Sequence, residues 1–124
     1  MKITFQADAN LRPAIWQGLR RREPSIDFEG HMGVIPDATS DLDVLRIAAA
    51  AGRVLVSPDI RTMPEHFQTF LASSDSPGLI LIPSRRSVSQ IIDGLLLIWL
   101  DWAPERLHNQ AVWLPITSEG GRRG

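Results

Sequence analysis

The side chains best placed to do chemistry in this 124-residue sequence are aspartates that follow β-prone runs. Asp8 ends the run from Ile3 to Ala7, Asp59 follows Arg53-Val54-Leu55-Val56-Ser57-Pro58, and Asp37, Asp41 and Asp43 come after Ser25-Ile26-Asp27-Phe28-Glu29. Carboxylates gathered at one edge of a sheet repel each other until a cation joins them, and oxygen ligands select hard ions such as Mg²⁺ or Mn²⁺. A metal held in this way lowers the pKa of bound water and offsets the charge on an attacked phosphate. Each Asp also has an ordinary use as a turn former or helix cap. For Asp41, beside Ser40, the helix-start role is the stronger reading.

Strand-like and helix-like segments alternate along the whole chain, and these must position the acids. Pro13 suits the first turn of a helix, with Asn10 as a candidate cap, and Ile15, Trp16 and Leu19 share its inner face. Ser40 reads as the N-cap of a second helix and Gly52 as its C-terminal stop. A third helix is expected from Pro64 through Leu71, and a fourth, the longest, from Ser87 to Leu100. Leu79-Ile80-Leu81-Ile82 is the most apolar strand and so is expected at the sheet centre. A short helical turn from Pro104 to His108 and a last strand, Val112 to Pro115, complete the pattern. Five strands alternating with four helices predict a three-layer α/β/α fold with a mainly parallel five-stranded sheet. Residues 1–116 read as one domain and 117–124 as a flexible tail. In such folds ligands sit beyond the carboxyl ends of the strands, near the switch in strand order.

Composition narrows the function classes. Thirteen basic against fourteen acidic residues give a net charge of −1, which excludes coating of nucleic acid by bulk positive charge. The absence of Cys excludes disulfides, thiol nucleophiles and iron–sulfur clusters, and fits a reducing cytoplasm. The apolar run Gly94 to Leu100 is flanked by Asp93 and Asp101, far short of the ~20 residues of a membrane span. No signal peptide is expected at the N-terminus. The predicted protein is therefore cytoplasmic, with no membrane partner.

His31, His66 and His108 match no zinc spacing, although His66 is placed to approach Asp59 from the following helix. Arg12, Arg61, Arg85 and Arg86 fall near strand ends and helix starts, where they would hold phosphates. Arg20-Arg21-Arg22 reads as a solvated helix end. Trp16, Trp99, Trp102 and Trp113 read as packing residues rather than base-stacking ones. The stripe Ile91, Ile92, Leu95, Leu96, Ile98 and Trp99 exceeds one helix face, which implies a homodimer or a bound partner protein.

Several short motifs, kept in order, resemble the PIN-like proteins of domain-of-unknown-function class 5615, relatives of the toxins in bacterial toxin–antitoxin pairs. They are Asp8-Ala9-Asn10-Leu11-Arg12-Pro13, Ser40-Asp41 through Ala48-Ala49-Ala50-Ala51-Gly52-Arg53, Val54-Leu55-Val56-Ser57-Pro58-Asp59, Arg61 to Phe67, and Ser76 to Ile82. The resemblance covers residues 1 to about 115. It implies a PIN-like fold and a metal-dependent endoribonuclease that hydrolyses RNA phosphodiesters, paired with a small antitoxin protein. By the resemblance, Asp8, Asp41 and Asp59 would be the catalytic, metal-binding acids for Mg²⁺ or Mn²⁺. Asn10 and Ser57 would support them, with Arg12 and Arg61 toward the substrate. Three positions depart from the family pattern. Ala9 stands in place of Glu, Pro58 in place of Arg or His, and Arg61 where many relatives carry a further acid.

Those departures define the main alternative, a PIN-like binding protein with weakened or no catalysis. A receiver-like regulatory domain is a third reading, since it too uses five parallel strands and an acidic pocket. It lacks support from the first strand, which supplies one acid instead of two, and from Lys2 being the sole lysine. A flavodoxin-like nucleotide binder is weaker still, because no Gly-rich loop follows the first strand.

Overall fold

The computed structural model describes residues 1–83 and 85–115; the predicted tail and residue 116 lie outside the described residues. Along the chain run β1 (Phe5–Ala7), α1 (Pro13–Arg22), β2 (Phe28–Glu29), α2 (Asp41–Ala50), β3 (Val54–Ser57), α3 (Met63–Leu71), β4 (Leu79–Leu81), α4 (Val88–Asp101), a 3₁₀ turn at Pro104–Arg106, and β5 (Ala111–Trp113).

Local chemistry fixes most of the helix ends. Ser40 accepts a hydrogen bond from Asp43 N at 3.2 Å, and Asp41 and Asp43 lie in the first turn of α2, against the positive end of its dipole. Gly52 follows the last turn of α2 with φ 71°, the left-handed conformation that glycine adopts without a Cβ penalty. Ser87 and Gln90 form a reciprocal capping box that starts α4. At α1 the expectation for Asn10 fails. Arg12 occupies the cap position, no side chain caps the helix, and Pro13 sets the first turn through its fixed φ.

All four strand pairings are parallel, in the order β2-β1-β3-β4-β5. The sheet is flanked on both faces, so the α/β/α reading holds. The most apolar strand, β4, is not central, because β3 is. Leu79, Ile80 and Leu81 are apolar because helices cover both faces of β4, one strand in from the edge. Strand alternation splits the core in two. Phe5, Ala7, Val54, Val56 and Ile80 face α1 and α4, while Leu55, Leu79 and Leu81 face α2 and α3.

The last crossover is unusual. Helices α1 and α4 share a face, yet β1-α1-β2 and β4-α4-β5 step in opposite directions across the sheet. These two connections therefore have opposite hands. Helices α2 and α3, on the other face and stepping away from β2, share the hand of the first crossover. Since about 98% of such connections are right-handed, β4-α4-β5 is the exception to explain. Its cause is visible in α4. Ile91, Ile92, Leu95, Ile98 and Trp99 pack with Ile15 and Leu19 of α1, giving each face two helices.

That packing also corrects the expectation drawn from the α4 stripe. Its residues are buried or half-buried within this chain, so it needs no partner to cover it. Trp16 and Trp102 are half-buried and Trp99 is buried, as expected of packing residues, but Trp113 is 48% exposed at the outer strand. No helix among the described residues is long and apolar enough to cross a membrane.

Candidate functional site at the β1–β3 switch point

In a parallel sheet of this order the chain winds outward in both directions from between β1 and β3, which leaves a crevice at their carboxyl ends. Asp8 stands there. Its backbone N–H donates to Val56 O at 3.0 Å, which extends the β1–β3 ladder by one residue and fixes where the side chain emerges. Period-two alternation puts Asp8 on the same side as Gln6, toward α2.

Asp8 is only 4% exposed. Ala9 N donates to Oδ1 at 2.8 Å, and the hydroxyl of Ser57, the last residue of β3, donates to Oδ2 at 2.7 Å. Burial raises the pKa of this carboxyl, and the charges of Asp41 and Asp59 raise it further. The two hydrogen bonds pull in the opposite direction and do not cancel the rise.

Asp59 is differently placed. Burial costs its charged form something, but donors from Thr62, Arg61 and Met63 outweigh that and lower its pKa. Arg61 N and Thr62 N donate to Oδ1 at 3.1 and 2.9 Å, and the Thr62 hydroxyl donates to Oδ2. Asp59 thus builds the turn into α3, and most of the four or so acceptor positions of its carboxylate are already filled. Ser57 ties the two acids together, since its Oγ accepts from Asp59 N at 3.1 Å while donating to Asp8.

Asp41, the first residue of α2, is half-buried, and His66 Nε2 of α3 lies 3.4 Å from its Oδ2. His66 therefore does approach the site, through Asp41 rather than Asp59. Asp8 and Asp41 line one cavity of about 420 Å³ with Asn10, His31, Asp37 and Thr39. Asp59 does not line it. Among the described residues no group of three His, Asp or Glu side chains is arranged to hold a metal.

Of the other predicted site residues, Asn10 and Arg12 are exposed beside Asp8 and share a second cavity of about 210 Å³ with Pro58 and Pro83. Arg12 donates to the backbone carbonyl of Arg86 at 3.2 Å. Arg86 itself lines a different cavity with Gln90 and Asp93, so the two predicted phosphate-holding arginines do not share one pocket. Arg61 is exposed, and its backbone, not its guanidinium, joins the Asp59 turn. Lys2 sits at the opposite end of the sheet, where Nζ donates to Trp99 O at 3.2 Å. The sole lysine is therefore far from the place a receiver-like site needs it.

Two residues escaped the sequence reading. Gln6 is fully buried and donates to Ala7 O at 2.9 Å and Gly30 O at 3.3 Å. His31, next in chain to Gly30, lines the cavity with Asp8. Gln6 Oε1 and His31 Nδ1 are buried without a hydrogen-bond partner among the described residues. The alternation Phe5-Gln6-Ala7-Asp8 was the available signal for Gln6, because it sets two polar residues on one face. His31 had none, because its position depends on the loop that follows β2.

Asp8 and Asp41 offer only oxygen ligands, and the unfavourable charge at Asp8 is what a bound cation relieves. The pair fits a hard divalent ion better than a soft one. The chain matches no family model, no curated protein and no solved structure.

Proposed function

We propose that this protein is a metal-dependent RNA phosphodiesterase of the PIN-like type, acting in the cytoplasm with a small antitoxin protein as its partner. The observation supporting this most directly is Asp8, a carboxylate nearly withdrawn from water at the switch point, its pKa raised by burial and by Asp41 and Asp59. A group held in that condition is under strain unless a positive charge joins it, and such groups cluster at functional sites.

Mg²⁺ or Mn²⁺ at Asp8 and Asp41 would supply a water of lowered pKa and charge to offset that on the phosphate. The chain's own residues do the rest. Ser57 and Ala9 N–H hold the Asp8 oxygens in place, His66 lies beside Asp41, and Asp59 fixes the turn that carries Ser57 and Arg61. Arg12, exposed beside Asn10, offers a positive charge to a flanking phosphate.

Purified protein incubated with single-stranded RNA and Mn²⁺ should cleave it, and Asp8→Asn should abolish cleavage. Cleavage that survives both Asp8→Asn and Asp59→Asn would falsify the assignment. One observation favours a binding protein without catalysis, namely that the Asp59 carboxylate is already engaged by its own turn. Under that reading Mn²⁺ binds weakly or not at all in calorimetry, and RNA is retained uncut.

A further inference from the structure

The cavity beside Asp8 is larger than one hydrated ion requires and has two kinds of lining. Ala9, Ile35, Pro36, Ala38 and Val44 give it apolar walls. Its charged groups are the carboxylates of Asp8, Asp37 and Asp41, beside Asn10, His31 and Thr39. The wall is preformed. Ile35 is buried among α2 and α3 residues, and Val34 N and Ile35 N both donate to His31 O, at 3.0 and 2.9 Å. The Thr39 hydroxyl closes the loop onto Pro36 O. Asp37 is exposed at the rim, and none of the four ion pairs among the described residues involves it.

Asn10 lines this acidic cavity and also the neighbouring one that holds Arg12. The Asp8–Asn10 turn is thus a divide with an acidic hollow on one side and Arg12 on the other. A nucleotide chain laid across it can keep its phosphates on the arginine side and drop a base into the hollow.

We propose that this cavity seats a guanine base of the RNA, read by the Asp37 carboxylate, next to the phosphate addressed at Asp8. Guanine alone carries two adjacent donors, N1–H and the N2 amino group, on one edge, and these match the two oxygens of a carboxylate. Adenine and cytosine set one amino donor beside an acceptor. Uracil sets one donor between two carbonyls, which carboxylates repel. The volume of about 420 Å³ lies within the range of small-ligand pockets, and apolar walls suit a flat ring. Both Asp8 oxygens already accept hydrogen bonds and Asp41 has His66 Nε2 beside it at 3.4 Å, which leaves Asp37 as the reader.

This inference rests on the phosphodiesterase reading, but it is tested without metal or cleavage. The full chain, in EDTA, is titrated with guanosine, adenosine, cytidine and uridine while its backbone amide spectrum is followed. Guanosine should bind about tenfold more tightly than uridine, the factor expected of one charge-assisted pair, and should move the amides of Ala9, Asn10 and residues 31–44. Asp37→Ala should bring guanosine down to the uridine level, and Asp37→Asn, which turns one acceptor into a donor, should do the same. The unperturbed remainder of the spectrum reports that each variant is folded. Asp101→Asn, at an exposed acid closing α4 and outside both cavities, should keep the guanosine preference. Equal affinity for guanosine and uridine, shifts confined to another region, or a preference that outlives both Asp37 variants overturns the proposal. A guanosine preference in a protein that leaves RNA intact upholds the pocket and removes the nuclease. Cleavage without any nucleoside preference does the reverse.

Discussion

Replacing Ser57 by Ala removes one oxygen, fully buried, that holds both strand-end acids at once. Its hydroxyl donates to Asp8 Oδ2 at 2.7 Å and accepts from Asp59 N at 3.1 Å. A hydrogen bond to a charged group contributes about 1.5–3 kcal/mol, and a neutral one about 0.5–1.5. Asp59 is half-exposed, so water recovers part of the second loss. The expected destabilisation is about 2–4 kcal/mol near neutral pH. Its pH dependence follows from Asp8. That carboxyl has a folded pKa above its ordinary value, chiefly through burial, so its ionisation lowers stability as pH rises from the unfolded to the folded pKa. The Ser57 hydrogen bond lowers the folded pKa, and its loss moves that value higher still. The charge-dependent part of the effect is therefore absent where Asp8 is protonated with or without Ser57, and complete where it is ionised in both. Urea unfolding with EDTA, at about pH 3, below the ordinary Asp value, and at about pH 7, checks this, with only the neutral part of about 1 kcal/mol remaining at the lower pH. A destabilisation below about 0.5 kcal/mol at neutral pH, or the same at both, would refute the coupling of Ser57 to Asp8.

Gly30→Ala places a Cβ 2.9 Å from Trp16 Cζ2, and overpacking of that kind costs about 1–3 kcal/mol. A lowered melting temperature with altered tryptophan fluorescence is the expected result, and an unchanged one counts against the Trp16–Gly30 contact. Ser87→Ala removes half of the α4 capping box and should cost about 1 kcal/mol in urea unfolding, with a larger loss for the Ser87→Ala/Gln90→Ala pair.

Much of this architecture was legible because local rules and tertiary packing agree. Ser40, Gly52, Pro13 and Ser87 mark helix ends by mechanisms that need no partner elsewhere in the chain. The strands read correctly in kind but not in place. An apolar run reports burial of both faces, and β4 has that one position from the edge as fully as it would at the centre. The α4 stripe was misread for a related reason. Sequence shows how much apolar surface a helix carries, but not that α1 lies on the same face to receive it. At the site, the carboxyl ends of β1 and β3 were predictable from alternation alone, and Asp8 and Ser57 do meet there. The turn at Asp59 was also open to sequence, as the ordinary use of an Asp beyond a strand. The loop carrying His31 and Asp37 was not, because nothing local to it specifies that it folds back toward α2.

The odd-handed last crossover bears on how the chain reaches this state. The α2–α3 face is assembled from one continuous interval, Ile35 to Leu81, whose contacts close over short separations. The α1–α4 face is drawn from both ends, and its Arg22–Asp93 ion pair joins residues 71 positions apart. Contacts of that separation form late, because loop closure must precede them. On a ribosome the interior half can collapse while α4 is still unmade, and the apolar underside of β1 and α1 then waits uncovered. Asp8, though it follows β1, points to the early side, where it shares a cavity with Asp41 and a hydrogen bond with Ser57. The contacts of the site itself span only residues 8 to 66, so it can close while the other face of the sheet still waits for α4.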